Sequence, residues 1–140
     1  MSIAQTRMLE GLKVVDLTSV IFGPYCTLTL ADMGADVTKI EVPTGDSSRF
    51  AGVTDRNPMM GPVFMSLNRG KRSIAIDLKA PDALERLMPL IREADVLIEQ
   101  FRPGVMDRLG LGYAAPSAAN PRLGYCSITG IGQHLSLYTH

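Results

Sequence analysis

The fold is decided by the stretch Val14–Glu41, which reads VVDLTSVIFGPYCTLTLADMGADVTKIE. Its first four residues, Val14–Leu17, form a short and mostly apolar run, which is typical of a strand buried on both faces. Gly23-Pro24 then predicts the start of a helix, since proline at the first helical position gives up only an amide that would be unpaired there. Gly34 predicts a left-handed end to that helix, and Asp36–Val42 reads as a second strand.

A strand, a helix and a second strand in this order predict a right-handed βαβ unit and therefore a parallel sheet. Cys26, Leu30 and Met33 are spaced at i, i+4 and i+7, which predicts one apolar stripe along the helix. Ligands of such folds collect at the carboxyl ends of the strands. The loop Thr18–Gly23 is therefore the first candidate for a site.

The rest of the chain continues the alternation of strands and helices. Pro43–Gly61 is rich in Gly, Pro, Asp and Ser and is longer than an ordinary connection, which favours a functional or mobile loop. Pro89 lies inside the next long helical pattern and predicts a kink or an early end. The further predicted elements are a helical turn at Pro62–Leu67, a strand at Ser73–Leu78, a helix from Pro81 with Leu84, Leu87, Met88 and Ile91 on one face, a strand at Asp95–Glu99, helices at Val105–Leu109 and Ala114–Asn120, and a strand at Leu123–Ile128. The prediction is an α/β fold of Rossmann-like type, with a mostly parallel sheet and flanking helices.

Composition excludes several classes of function. The 140 residues are 46% hydrophobic, and 14 basic side chains balance 14 acidic ones, so no overall field favours nucleic acid or an anionic membrane. No apolar run approaches the length of a membrane span, and no signal peptide precedes the fold, which predicts a cytoplasmic protein. No metal-ligand spacing, carboxylate pair or nucleophile–base pair stands out. His134 and His140 lie in a polar tail and are read as ordinary solvated histidines.

A dinucleotide site is the first functional candidate from the residues alone. Glu41 ends the second strand, where an acidic residue would hold the ribose hydroxyls of NAD. However, the loop before the helix has a single glycine, Gly23, where the dinucleotide fingerprint needs three. NAD binding is therefore the weaker interpretation.

Two basic segments are candidates for anion binding. Arg69-Gly70-Lys71-Arg72 places three cations around a glycine, which suits phosphate oxygens but is equally compatible with a solvated turn. Phe101-Arg102 follows a strand, where the pair could flank an adenine or a phosphate, although Phe101 also fits a helix-entry turn with its ring in the core. Arg108 is either a further phosphate partner or a surface residue.

Several stretches, taken in order along the chain, resemble one family. The most distinctive is Ala94–Gly110, which reads ADVLIEQFRPGVMDRLG. The others are Leu9–Leu17, Gly23–Cys26, Leu30–Val37, Leu67–Ile74, Asn120–Leu123 and Ser127–Gly130. Together they resemble the class III CoA-transferases, the family of formyl-CoA transferase, CaiB and BaiF, which also contains α-methylacyl-CoA racemase.

The resemblance implies a Rossmann-like large domain that binds coenzyme A, with no metal. It implies CoA or acyl-thioester contacts from the loop residues Val20, Ile21 and Phe22, phosphate contacts from the basic turn with Arg69, Lys71 and Arg72, adenosine or pantetheine contacts from Gln100 and Phe101, and further anion contacts from Arg102 and Arg108. Gln100 departs from the asparagine expected there but keeps an amide. Val42 stands where some members have an arginine, so one adenosine contact is expected to be missing.

The resemblance covers residues 9–133, which are interpreted as the N-terminal part of an incomplete large domain, with residues 1–8 as a leader and 134–140 as a divergent tail. The family's catalytic aspartate follows a Gly-Pro turn that this chain lacks, so the chain by itself is expected to be inactive and holds no predicted catalytic residue. The implied full-length activity is transfer of CoA between an acyl-CoA and a carboxylic acid, by an interlocked homodimer. A racemase fragment and a noncatalytic CoA-binding remnant are the alternatives.

Overall fold

The computed structural model describes residues 7–52, 57–130 and 132–133. Along these residues strands and helices alternate, as the sequence predicts. The strands are β1 Lys13–Leu17, β2 Asp36–Glu41, β3 Arg72–Ala75, β4 Val96–Glu99 and β5 Gly124–Ser127. The helices are α1 Phe22–Asp32, α2 Pro62–Asn68, α3 Ala83–Glu93, α4 Val105–Arg108 and α5 Ala114–Ala119, and a 3-10 helix spans Ser47–Phe50.

The five strands form one sheet in the order β3-β2-β1-β4-β5, and every pairing between neighbours is parallel. The predicted α/β, Rossmann-like fold is confirmed. Because the chain steps outward from β1 to β3 and then returns to β4 on the other side, the strand order reverses between β1 and β4. Loops that leave the two strands in opposite directions open a crevice at this point, which is where such folds bind ligands.

Each face of the sheet has its own apolar core. On one face Val15, Leu17 and Ile40 pack with Leu87 and Ile91 of α3. On the other face Val14, Val37 and Ile98 pack with Cys26 and Leu30 of α1. Residues that alternate along β1 and β2 therefore point to opposite cores, as expected for central strands with a helix on each face.

Helix α1 differs in detail from its prediction. It begins at Phe22, so Pro24 stands in its first turn rather than at its first position, where a missing amide is still tolerated. Met33 is 41% exposed at the C-cap and does not continue the stripe of Cys26 and Leu30. Gly34 has φ +103°, which confirms the predicted left-handed end.

Three further expectations are corrected. The third strand is Arg72–Ala75, shorter than Ser73–Leu78, and its four residues are exposed at the edge of the sheet. Pro89 does not end α3, which runs on to Glu93. Leu84, predicted on the apolar face of that helix, is 41% exposed, whereas Leu87 and Ile91 are buried as predicted.

Candidate functional site

A cavity of about 280 Å³ opens at the carboxyl edge of the sheet, which we define as the edge where the strands end at Leu17, Glu41, Ala75, Glu99 and Ser127. Its walls are mostly apolar and come from the ends of β1 and β2 and the segments after β3 and β4. Its lining includes Thr18, Glu41, Asp46, Ile76, Leu78 and Phe101.

The loop that follows β1 lies beside this cavity and is strained at its tip. Val20 has φ +66°, a left-handed conformation that is costly for a β-branched residue. The side chains of Val20, Ile21 and Phe22 are nevertheless exposed, Phe22 to 81%. The loop predicted from the sequence therefore presents three apolar side chains to solvent at the expected edge.

Gln100 holds this loop from the end of β4. Its Nε2 donates to Ser19 O at 2.7 Å, and its Oε1 accepts from Gly23 N at 3.0 Å. A Cβ on Gly23 would lie 2.2 Å from Thr18 Cβ and 2.3 Å from Gln100 Oε1. The amide is thus occupied by the protein backbone, and glycine is required where Gln100 closes over the loop.

A buried side chain, Asp46, holds the tip of the loop. The Asp46 carboxylate accepts from Val20 N, at 3.2 Å through Oδ1 and 3.1 Å through Oδ2. It also accepts from Ser48 N and Ser48 Oγ, and forms an ion pair of 3.0 Å with Lys39 Nζ. Lys39 Nζ in turn donates to Thr18 O at 2.7 Å, so the buried pair holds the loop at two backbone positions.

Burial by itself would raise the pKa of Asp46, but the hydrogen bonds from Ser48 and the charge of Lys39 outweigh it and leave that pKa below its ordinary value. The carboxylate therefore keeps its charge at neutral pH. A charged acceptor binds an amide more strongly than a neutral one does.

Lys71 lies in a second buried cluster under α1. Its Nζ donates to Thr27 Oγ1 and Asn68 Oδ1 at 2.8 Å each, to Pro24 O at 2.9 Å and to Asp16 Oδ2 at 3.3 Å. The Lys71 side chain is only 1% exposed. Burial lowers the pKa of Lys71, and the charge of Asp16 opposes that effect. Because four protein oxygens surround the ammonium, the structure favours a structural role and does not present Lys71 to a ligand, unlike the phosphate contact expected from the sequence.

Glu41 is likewise engaged by the protein. Its carboxylate pairs with the Arg49 guanidinium through two contacts of 2.7 Å and accepts from Ser73 Oγ at 2.5 Å and from Asp46 N at 2.9 Å. Burial raises its pKa, but the hydrogen bonds from Arg49 and Ser73 more than reverse this and lower the pKa to about 2. A carboxylate with these partners is not free for ribose hydroxyls, which agrees with the weaker standing of NAD binding.

The other cations of the basic turn lie at the opposite edge of the sheet. Arg69 pairs with Asp32 at the end of α1, and Arg72 pairs with Asp36 at the start of β2, each at 2.5 Å. Asp36 is in register with Lys13, the first residue of β1. The structure therefore separates Arg69 and Arg72 from the loop Val20–Phe22.

The residues predicted after β4 do lie at the carboxyl edge. The Phe101 ring is half-buried and packs against the α3 core while also lining the 280 Å³ cavity. This position fits the interpretation with the ring in the core, and a contact of Phe101 with an adenine or a phosphate stays a prediction. Arg102 and Arg108 are exposed, and Arg108 Nη1 lies over the Gly104 turn. Within the residues that the structure describes, neither arginine forms an ion pair.

Asp46 and Lys79 also lie at this edge and are not among the residues predicted from the sequence. Asp46 stands in the long loop after β2, and the only signal was that this loop is longer than an ordinary connection. Lys79 is exposed directly after Leu78, which lines the cavity, and a lysine just past the third strand's carboxyl end was a readable signal.

Two features are absent from residues 7–52, 57–130 and 132–133. No group of three or more His, Cys, Asp or Glu side chains is arranged to hold a metal ion. No helix there is both long and apolar enough to cross a membrane. His134 and His140 lie outside the described residues.

Fold and site together define an open, parallel α/β domain that offers an apolar loop, a cavity and exposed arginines at the strand-order reversal. The model of CoA-transferase family III matches residues 9–136, so the chain belongs to that family.

Relatives of known name are similar over nearly the whole chain. The succinyl-CoA:mesaconate CoA-transferase of Haloarcula hispanica is 44% identical over 94% of this chain and 34% of its own length. The human succinyl-CoA:glutarate CoA-transferase is 41% identical over 91% of this chain and 29% of its own length. Both are named as transferases, which does not favour the racemase alternative.

Solved structures agree with the fold. The Rv3272 protein of Mycobacterium tuberculosis superposes with a TM-score of 0.86 at 36% identity, over 94% of this chain and 37% of that one. A CaiB/BaiF family protein from Brucella suis gives a TM-score of 0.84 at 43% identity, over 90% of this chain and 34% of that one. The chain thus spans about a third of the length of the relatives that it matches.

Proposed function

We propose that this chain is the CoA-binding part of an acyl-CoA:carboxylate CoA-transferase, and that CoA binds along the carboxyl edge of the sheet. The observation that carries the proposal is the segment Val20–Phe22, whose exposed apolar side chains stand on a backbone held by hydrogen bonds to Gln100 and to the buried Asp46 carboxylate. A preformed apolar surface of this kind suits an acyl or pantetheine chain, because a loop that is already held loses little conformational entropy on binding.

The neighbouring groups match the other parts of CoA. The cavity beside Phe101 has aliphatic walls from Ile76 and Leu78, which suit the faces of an adenine ring. Arg102 and Arg108 lie at the same edge, exposed, and offer planar donor groups to phosphate oxygens. Lys79 supplies a further exposed cation after β3. We therefore assign the phosphates to this edge rather than to the turn of Arg69 and Arg72.

Calorimetric titration of the chain with CoA tests this assignment. Arg102→Ala and Arg108→Ala should each weaken CoA binding by about tenfold or more, since a hydrogen bond to a charged group contributes roughly 1.5–3 kcal/mol. Arg72→Ala is the matched control and should leave the dissociation constant unchanged. If Arg72→Ala weakens binding and Arg102→Ala does not, the phosphates lie at the basic turn, as the sequence analysis expected.

An assay of thioester exchange tests the enzymatic part separately. We expect no turnover from this chain alone, and we expect the complete enzyme to move CoA between an acyl-CoA and a carboxylic acid. Binding without exchange would fit either a part of an enzyme or a noncatalytic module, and exchange measured on a full-length relative carrying the same edge residues would separate the two. The interlocked homodimer and the cytoplasmic location stay predictions.

A further inference from the structure

The left-handed conformation of Val20 must be stabilised by other parts of the molecule. A β-branched residue at φ +66° has lower free energies available in the extended and right-handed regions, so a free loop would leave this conformation. The exposed side chains of Val20 and Phe22 provide little packing to oppose that change. What opposes it must act on the backbone.

The Asp46 carboxylate is the group in position to do so. Both of its oxygens lie within hydrogen-bond distance of Val20 N, and its side chain is 1% exposed. It is itself fixed by Lys39 on one side and by Ser48 on the other. Lys39 also donates to Thr18 O, so one buried ammonium group binds both the Asp46 carboxylate and the backbone of the loop.

We propose that Asp46 is a positioning residue, which holds Val20 in its left-handed conformation and thereby sets the direction in which Ile21 and Phe22 face an acyl-CoA. The inference rests on the proposed function for its ligand, but the hold on the loop does not. Asp46 does not touch the ligand in this role. It acts through the Val20 amide.

Asp46→Asn tests the hold directly, because it keeps the size of the side chain and removes its charge and one oxygen acceptor. Hydrogen exchange of the Val20 amide should become about 10- to 100-fold faster, which corresponds to loss of a charge-assisted hydrogen bond. The dissociation constant for CoA should rise by about tenfold. Ser48→Ala removes one hydrogen bond that orients the carboxylate, and it should change both quantities in the same direction but by less. This variant replaces Asp46→Asn as the test if Asp46→Asn does not fold.

Asn120→Ala is the control for a general loss of stability. Asn120 Nδ2 donates to Ile91 O and Ala94 O, away from the loop, so its loss should lower the melting temperature without changing Val20 exchange or CoA binding. A second test is Val20→Asn, since asparagine tolerates φ above zero better than valine. In that background Asp46→Asn should have a smaller effect on exchange.

The outcomes separate the two proposals. If the parent chain does not bind CoA, the proposed function fails, and the exchange measurements alone decide whether Asp46 holds the loop. Unchanged Val20 exchange in a folded Asp46→Asn variant overturns the inference. So does an equal rise in the CoA dissociation constant in Asn120→Ala, because the effect would then be one of stability and not of position.

Discussion

Ion pairs occur at both edges of the sheet, but the two edges use them differently. Towards the carboxyl edge, Asp46 pairs with Lys39, and Asp16, one residue before the end of β1, pairs with Lys71 from under α1; all four side chains are at most 1% exposed. At the amino edge, where the strands begin, Arg69–Asp32 and Arg72–Asp36 join side chains that are 44–69% exposed. Each of these pairs joins an aspartate to a cation, which is a lysine in the two buried pairs and an arginine in the two exposed ones, and the two exposed pairs have the shorter distances.

This comparison shows that the distance between the charged atoms does not predict how much each pair contributes to stability. Exposed pairs are surrounded by water and ions and contribute little, whatever their separation. A buried charge that loses its partner leaves the other charge without solvent or counter-charge, which is strongly destabilising. The carboxyl edge is thus the part of the molecule where single substitutions should act most, and the same buried groups fix the loop that carries the proposed site.

Lys71→Met should have the largest effect. It leaves the Asp16 carboxylate buried without its cation, and we expect the free energy of unfolding to fall by about 3–5 kcal/mol. Urea denaturation measures this. The matched control is Arg72→Met, the adjacent residue, which should cost no more than about 1 kcal/mol. Equal losses at the two positions would contradict the contrast between the edges.

A pH titration should show the next largest effect, through Glu41. Its pKa in the folded protein is about 2, below the ordinary value of 4.5, so the folded state binds fewer protons than the unfolded chain in this range. The stability that its ionised form contributes is therefore complete above pH 4.5 and is lost as the pH falls towards 2. The shift corresponds to about 3 kcal/mol.

Other carboxylates also titrate in this window, so the comparison needs Glu41→Gln. The difference in unfolding free energy between parent and variant should be largest near pH 6 and should shrink as the pH falls from 4.5 to 2.5. A difference that stays constant over that range would show that the Glu41–Arg49 pair is not the source.

Gly23→Ala tests the packing of the carboxyl edge rather than its charge. The added methyl would meet Thr18 Cβ at 2.2 Å and Gln100 Oε1 at 2.3 Å, so Gln100 must move away from the loop. We expect a loss of about 1–3 kcal/mol by thermal or urea unfolding. Gly130→Ala is the control, because its Cβ would have no heavy atom within 4 Å, and it should stay within about 0.5 kcal/mol of the parent.

The sequence predicted this edge better than it predicted the groups that build it. Periodicity and turn residues were enough for the order of elements, because alternation of short apolar runs with helical stripes has few parallel-sheet solutions. The choice of the loop Thr18–Gly23 as a candidate site followed from the rule that such folds bind ligands at the carboxyl ends of their strands. Exposure of Leu84 and Met33 was missed because a local pattern does not say where the covering layer stops.

The charged residues were the hardest to place. Lys71 and Arg72 are adjacent and read alike in sequence, yet one side chain enters a polar cluster under α1 and the other lies in solvent. Partners such as Asp16 and Thr27 are 55 and 44 residues away from Lys71, so no local signal identifies them. Asp46 was overlooked for the same reason, since its contact with Val20 spans 26 residues.

The smallest effect should come from the amino edge. Arg69→Ala removes the cation of an exposed pair with Asp32, and we expect the free energy of unfolding to change by less than about 1 kcal/mol. Because both partners stay hydrated when separated, added salt should reduce even this difference, and measurements at low and at 1 M sodium chloride check it. Asp32→Ala is the matched variant. The loss of unfolding free energy in the double variant should not exceed the sum of the losses in the two single variants. A loss above 2 kcal/mol that persists in high salt would mean that an exposed pair does what only the buried pairs are expected to do, and the contrast between the two edges would fail.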